Sequence, residues 1–259
     1  MTSTALVTGA SSGIGQEIAR MHAQKGGNLV LVARNESALN DLKQELEKAH
    51  GISATVVVAD LAQANVANRV FEATEAAGIQ VDMLINNAGI GGHGMFHERE
   101  LDSDRAMMQV NMTALVDLTH LYLPGMRARG YGKILQVAST AGMMPGPLQA
   151  VYFASKSFVL SFSQAISEEL SGTGVTCTAL CPGAVETGFA AAGNLEDAAL
   201  FAKPGASAVS VADCGSKAML KGDLVTINDP MISFVLTWII PLLPRKLVLK
   251  IARKSMEKV

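Results

Sequence analysis

The chain has 259 residues, enough to bury a substantial core as one large domain, and with 49% apolar and 17% charged residues it is not a disordered polymer. A net charge of −2 offers no electrostatic footprint for nucleic acid, so no nucleic-acid partner is expected. Cys177, Cys181 and Cys214 have neither disulfide nor metal-ligand spacing and read as buried small apolar residues.

In chain order, "TALVT" (4–8) forms a first strand with no basic or apolar leader before it, so a cytoplasmic location is expected. It runs into "TGASSGIG", where Gly9, Gly13 and Gly15 allow tight turning and close approach to a ligand. Ser11, Ser12 and Ile14 lie in the same loop. The helix that follows offers free N–H groups and the positive end of its dipole to a pyrophosphate. Glycine spacing alone also describes a plain strand-to-helix turn; the position after strand one strengthens the dinucleotide reading.

The second strand, "NLVLVA" (28–33), ends where dinucleotide folds carry an acidic residue for the adenosine ribose 2′-hydroxyl. Here stand Ala33 and Arg34. A guanidinium pairs in bidentate fashion with a 2′-phosphate, so NADP(H) is expected over NAD(H); a solvated arginine at a strand end is the plainer alternative.

"ESALNDLKQELEKAH" reads as a helix with Leu39, Leu42, Leu46 and Ala49 on one stripe and Gly51 as its stop. "ATVVV" (54–58), "MLIN" (83–86), "KILQV" (133–137), "VTCTAL" (175–180) and "LVTI" (224–227) are further strands. Their near-continuous apolar character suits strands covered on both faces. The alternation predicts an α/β chain: a doubly wound parallel sheet of about seven strands with helices on both faces, undivided by any linker. His93 and His97 stand four apart, but Gly91, Gly92 and Gly94 argue against a helix there. They are placed in a loop beside the site, and no metal is expected.

"YFASK" places Tyr152 and Lys156 at i and i+4, on one helical face. The pair is either a surface contact or a proton-transfer device. An unperturbed phenol titrates near ~10, and bringing it to about 7 needs roughly 4 kcal/mol. A close cation typically lowers a pKa by about 1–3, so Lys156 alone falls short and a cationic nicotinamide is the natural supplement.

The ordered set "TGASSGIG" (8–15), "ADL" (59–61), "NNAG" (86–89), "VN" (110–111), Ser139, "YFASK" (152–156) and "CPG" (181–183) resembles the classical short-chain dehydrogenase/reductase family over about the first 228 residues. The resemblance implies a Rossmann-type fold and a tetrad of Asn111, Ser139, Tyr152 and Lys156. Tyr152 would donate the proton, with Lys156 tuning it and bonding the nicotinamide ribose. Ser139 would hold the carbonyl oxygen, and Asn111 a water in a proton relay. Asp60 would bond the adenine amino group, with Leu61 packing nearby; a helix cap is its structural alternative. Asn87, Ala88 and Gly89 would pass along the adenosine ribose, with Asn86 bracing the sheet. Pro182, Gly183, Val185 and Thr187 would hold the nicotinamide end.

In that family the region after the sixth strand closes over the substrate, here near 184–207. His93, Met143, Met144, Leu148 and Phe189, with Leu200 and Phe201, would line an apolar pocket. The expected activity is NADP(H)-dependent oxidoreduction at a CH–OH group, interconverting a hydrophobic ketone or aldehyde and its alcohol. A 3-oxoacyl-thioester reductase is one alternative, although "LVTINDP" lacks the glycine-rich ending usual in that branch. A steroid or sugar alcohol dehydrogenase is another, and a non-catalytic nucleotide sensor is the reading from a different class. A homodimer or homotetramer is expected.

Beyond a catalytic domain of 1–228 lies an extension, 229–259. "MISFVLTWIIPLL" (231–243) has 13 residues and contains Pro241, too short to span a bilayer. "RKLVLKIARKSMEKV" follows as a basic helix with Leu247, Val248, Ile251 and Met256 as its apolar stripe. Packing on the domain is expected, with peripheral membrane contact through 231–258 as the alternative.

Overall fold

The computed structural model describes residues 3–202 and 204–258, so Lys203 in the expected lid and Val259 in the extension lie outside the described residues. The strands are β1 (Thr4–Thr8), β2 (Asn28–Ala33), β3 (Ala54–Val58), β4 (Met83–Asn86), β5 (Gly132–Val137), β6 (Val175–Leu180), β7 (Val185–Glu186), β8 (Ala206–Ser207) and β9 (Val225–Thr226). Seven of them form a parallel sheet in the order β3-β2-β1-β4-β5-β6-β9, and β7 pairs with β8 apart from it. All seven strands read from the sequence are in that sheet. The β7–β8 pair was not anticipated, because two-residue strands leave no periodic signal.

The helices are α1 (Gly13–Gln24), α2 (Glu36–His50), α3 (Val66–Ala76), α4 (Leu101–Met108), α5 (Ala114–Arg129), α6 (Ala150–Glu169), α7 (Phe189–Ala192), α8 (Ala208–Lys221), α9 (Pro230–Phe234) and α10 (Arg245–Met256). Ile18 of α1, Leu39 and Leu42 of α2, and Val211 and Met219 of α8 close one face of the sheet. Val70 of α3, Leu118 of α5 and Ile166 of α6 close the other. Successive strand side chains point to opposite faces, so a sheet covered twice needs apolar residues on both sides of a strand, which Leu6 and Val7, Val30 and Leu31, and Leu84 and Ile85 supply; Gln136 and Thr178 are buried polar exceptions. On α2, Asn35 accepts a hydrogen bond from the Ala38 N–H at 3.1 Å and Gly51 ends the helix at φ +65°. Leu39, Leu42 and Leu46 are buried as expected, but Ala49 in the last turn is exposed.

The strand order reverses between β1 and β4, which opens a crevice beyond their carboxyl ends, the usual ligand site of such sheets. The extension closes part of that end. Leu236, Ile240 and Val248 pack against Met143 and Met144, and Met256 against Ala141 and Phe153. The buried face of α10 is Val248, Ala252 and Met256, whereas Leu247 and Ile251 are 43% and 45% exposed. The expected stripe was therefore half wrong: the helix is apolar on two sides, and spacing alone does not say which side meets protein. Among the described residues no helix is long and apolar enough to cross a membrane.

Candidate active site

The crevice begins where β1 turns into α1. Gly9 at φ +66° and Gly13 at φ +58° occupy the left-handed region, which side chains disfavour. A Cβ on Gly15 would collide with the Asn87 side chain and lie 2.6 Å from the Gly9 carbonyl oxygen, so only glycine lets α1 sit this close to β4. Thr8 ties the two strand ends together: its Oγ1 accepts from the N–H groups of Asn87 (2.9 Å) and Ala88 (3.0 Å), and the Asn87 amide donates to the Thr8 carbonyl at 2.8 Å. Ser12, at the N-cap of α1, makes no capping hydrogen bond, so the first-turn N–H groups are left for an outside acceptor. Ile14 packs on the core, Ser11 is half-buried and Ser12 is exposed.

Arg34 is exposed at the end of β2, and among the described residues no carboxylate pairs with it. Asp60 accepts from the Ala62 N–H at 3.1 Å within its own turn, and Asn65, not Asp60, occupies the N-cap of α3, so the helix-cap alternative falls. Leu61 is buried in the second core. Asn86 donates to Thr119 Oγ1 at 3.1 Å and so joins β4 to α5. Across the crevice, Thr187 lies against Gly13, where an added Cβ would be 3.0 Å from its methyl group. The Gly183 N–H donates to Asn228 Oδ1 at 3.3 Å, and Val185 packs on the first core. This cradle of turned glycines, uncapped N–H groups and one exposed guanidinium fits a phosphorylated dinucleotide.

Asn111, Ser139, Tyr152 and Lys156 converge beside it from separate elements. Asn111 lies in a π-helical turn, Gln109–Thr113, between α4 and α5, a widening often found at functional sites. Its Oδ1 accepts from the Ile90 N–H (2.9 Å), while Nδ2 donates to the Ile90 carbonyl (3.0 Å) and to Ser155 Oγ (3.0 Å). Ser155 in turn donates to the Tyr152 carbonyl at 2.7 Å. The Asn111 amide thus clamps the 87–90 loop to α6, and both its N–H groups are committed to protein. That leaves its amide no donor for the relay water expected of it.

Ser139 caps the short 3-10 turn Thr140–Met143, accepting from the Ala141 N–H (3.1 Å) and donating to the Pro182 carbonyl (3.3 Å). Lys156 is buried, and its Nζ donates to the Val137 carbonyl at 2.8 Å. It lies 5.9 Å from the centre of the Tyr152 ring. A Cβ on Gly89 would be 3.3 Å from that Nζ and 3.4 Å from Asn111 Oδ1, so the loop presses directly on the pair.

The electrostatics correct one expectation. Burial pushes the Tyr152 phenol up to about 12, the nearby Ser139 hydroxyl pulling the other way, and burial pulls the Lys156 ammonium down to about 8. Desolvation disfavours each charged form, and it outweighs the attraction that the i, i+4 spacing suggested. Lys156 is directed at a backbone carbonyl, not at the phenol oxygen.

Around Tyr152 the surroundings are apolar. The Phe189 ring centre is 5.4 Å away and that of Phe153 is 6.2 Å away; Met144, Leu148 and Met256 complete the cluster. Leu148 holds a left-handed backbone at φ +68°, a strained conformation of the kind that gathers at functional sites. His93 bonds through Nε2 to the Met256 carbonyl at 2.7 Å, so it links the loop to the extension. His97 lies at a short 3-10 turn, Phe96–Glu98, and is largely exposed. Leu200 is 44% exposed and its N–H bonds to the Ser255 carbonyl, which takes it out of the expected pocket lining.

Thr8, Ser155 and Asn228 had no assigned role, though Ser155 stands within the quoted "YFASK" and Asn228 within "LVTINDP". Their hydrogen bonds span up to 80 positions, which no local pattern encodes.

Residues 3–198 match the model of the short chain dehydrogenase family. A very-long-chain 3-oxoacyl-CoA reductase of Homo sapiens is 32% identical over 192 residues, 72% of this chain and 60% of that protein. The chain spans about three fifths of the length of the curated relatives it matches. Among solved structures, a short-chain dehydrogenase from Sphingobium yanoikuyae in complex with NADPH superposes with a TM-score of 0.83 at 29% identity, covering 90% of each chain. A 7β-hydroxysteroid dehydrogenase superposes with a TM-score of 0.85 at 25% identity, covering 96% of each. The chain belongs to the short-chain dehydrogenase family, a family of Rossmann-fold oxidoreductases.

Proposed function

We propose that the protein is an NADP(H)-dependent oxidoreductase that interconverts a hydrophobic ketone or aldehyde with the corresponding alcohol. The observation that carries this is the Tyr152 phenol, set between Ser139 and an apolar wall of Met144, Leu148, Phe189 and Met256, beside the glycine cradle. The nucleotide supplies or accepts the hydride. Tyr152 gives the carbonyl oxygen its proton, and Ser139, turning its hydroxyl away from the Pro182 carbonyl, holds that oxygen as negative charge develops. Lys156 would bond the nicotinamide ribose, and the Asn111 clamp fixes the 87–90 loop beside it. Arg34 takes the 2′-phosphate, a choice supported by the missing acidic residue at Ala33 and by the NADPH complex of the Sphingobium neighbour. Residues 184–207 act as a lid, with Thr187 over Gly13 and Phe189 over Tyr152. We place this activity in the cytoplasm and in a homo-oligomer, for which the exposed Phe158 on α6, stacked on the half-buried Phe162, offers an apolar contact.

A 3-oxoacyl thioester is the second substrate reading, supported by the human relative's name, as the steroid neighbour supports a bulky cyclic alcohol. The test is a panel with NADPH and NADH: a long-chain 3-oxoacyl thioester, a steroid ketone and a small polar sugar ketone. Reduction of an apolar ketone is expected, with Tyr152→Phe retaining nucleotide binding but losing turnover by orders of magnitude. Arg34→Ala should lose roughly 10- to 150-fold in NADPH affinity and little for NADH. Full turnover by Tyr152→Phe, or an unchanged cofactor ratio in Arg34→Ala, overturns the corresponding assignment.

A further inference from the structure

The extension turns an unusually apolar face to solvent. Met231, Phe234, Val235, Trp238 and Leu242 follow one another at helical spacing and are 77%, 58%, 38%, 65% and 83% exposed. The opposite side of the same turns, Leu236 and Ile240, is buried against Met143. Such a face is larger than the scattered apolar residues of an ordinary surface and calls for an occupant. Beside it, α10 carries Arg245, Lys246, Lys250 and Lys254, all exposed, and none has an ion pair among the described residues. Arg245 and Leu249 also border a groove of about 610 Å³ whose other wall includes Met143, Met144 and Phe153.

We infer that residues 231–254 dock this protein on an anionic lipid surface. Two features select that occupant over a second copy of the chain. The apolar residues include a tryptophan and stand next to long cationic side chains, the combination that settles at the boundary between lipid headgroups and acyl chains. An isologous contact between two copies would bring the same unpaired cations toward each other, which opposes association. Anionic headgroups neutralise them instead. No helix within the segment is long and apolar enough to span, so it lies in the interface plane, with its inner face still packed on Met143 and Met144. The inference rests on the extension alone and holds whichever substrate the site takes.

Trp238 is the sole tryptophan of the chain, so its emission reports the event directly. The full-length protein is mixed with vesicles of phosphatidylcholine, with and without phosphatidylglycerol, and both co-sedimentation and emission are read. Binding to the anionic vesicles with a blue-shifted emission is expected, at least about tenfold tighter than to the neutral ones. Phe234→Ser with Leu242→Ser should abolish it, and Lys246→Glu with Lys250→Glu should remove the preference for anionic lipid without altering the fold. Absence of binding to either vesicle by the folded protein overturns the proposal. So does a lipid-free sedimentation mass that falls in the Phe234→Ser, Leu242→Ser variant, since the face would then be covered by a second copy. If the serine variant fails to fold, the charge-reversed variant decides: unchanged preference for anionic vesicles overturns the proposal.

Discussion

Lys156 is a buried ammonium with one hydrogen-bond partner among the described residues, the Val137 carbonyl, and burial pulls it down to about 8 from an ordinary 10.5. Below about 8 both folded and unfolded chains hold its proton, and the cost of burying the charge is paid in full. Between about 8 and 10.5 the unfolded chain keeps a proton that the folded chain has released, so stability attributable to Lys156 rises with pH across that window. Tyr152, pushed up to about 12, acts in the opposite sense only above its ordinary 10. Urea denaturation of the protein and of Lys156→Met from pH 7 to 10 should therefore show the wild type gaining relative to the variant, by something on the order of 3 kcal/mol over the full window. A difference that stays flat with pH means the ammonium keeps its proton. At this scale the four residues singled out in the sequence do converge in one place, and they could be picked out because "YFASK" and its companions stand in order. It misjudged their charges, since burial is set by neighbours such as Phe189 and Met256 that no spacing reveals.

The strands were readable because each has to be apolar on both faces, and that demand writes a run into the sequence. The π-helical turn at Asn111 writes nothing: "QVNMT" is unremarkable as letters, and its extra residue is visible only in the hydrogen bonds it redirects. Asn111→Ala leaves the Ile90 N–H and carbonyl and one donor's worth of Ser155 contact unsatisfied in a buried place, and should cost about 1–3 kcal/mol. Asn111→Asp should be worse, because a carboxylate there accepts from Ile90 N–H but is pressed against the Ile90 carbonyl as a buried charge. Denaturant midpoints in the order Asn, Ala, Asp are the expected result; an alanine variant as stable as the wild type would show that the clamp contributes nothing. Helix α10 teaches the converse lesson. Its letters promise one apolar stripe, and the folded chain buries Val248, Ala252 and Met256 while leaving Leu247, Leu249 and Ile251 outside.

For the whole molecule, the sheet and the crevice at the strand reversal follow from the alternation of elements, and the family motifs mark the glycine turn between β1 and α1. The roof does not follow. His93 meets the Met256 carbonyl across 163 positions, and Leu200 meets Ser255, contacts that depend on how the extension folds back. Removing residues 230–259 should uncover Met143, Met144 and Phe153, lowering the thermal midpoint, while the Gly9–Gly15 cradle stays intact. Nucleotide binding by fluorescence is then expected to survive as ketone turnover falls. Loss of both together would mean that the extension supports the sheet itself, and retention of both that the roof is dispensable.

The His93–Met256 contact also sets an order of events during synthesis. Every strand of the main sheet has been made once Thr226 is joined, and with it the complete glycine cradle, yet the phenol at Tyr152 still lacks its cover until residue 256 follows. A ribosome that stalls or a protease that clips between β9 and Met256 would release chains with a finished cradle and an open site. Such chains would compete for the nucleotide without sharing the work.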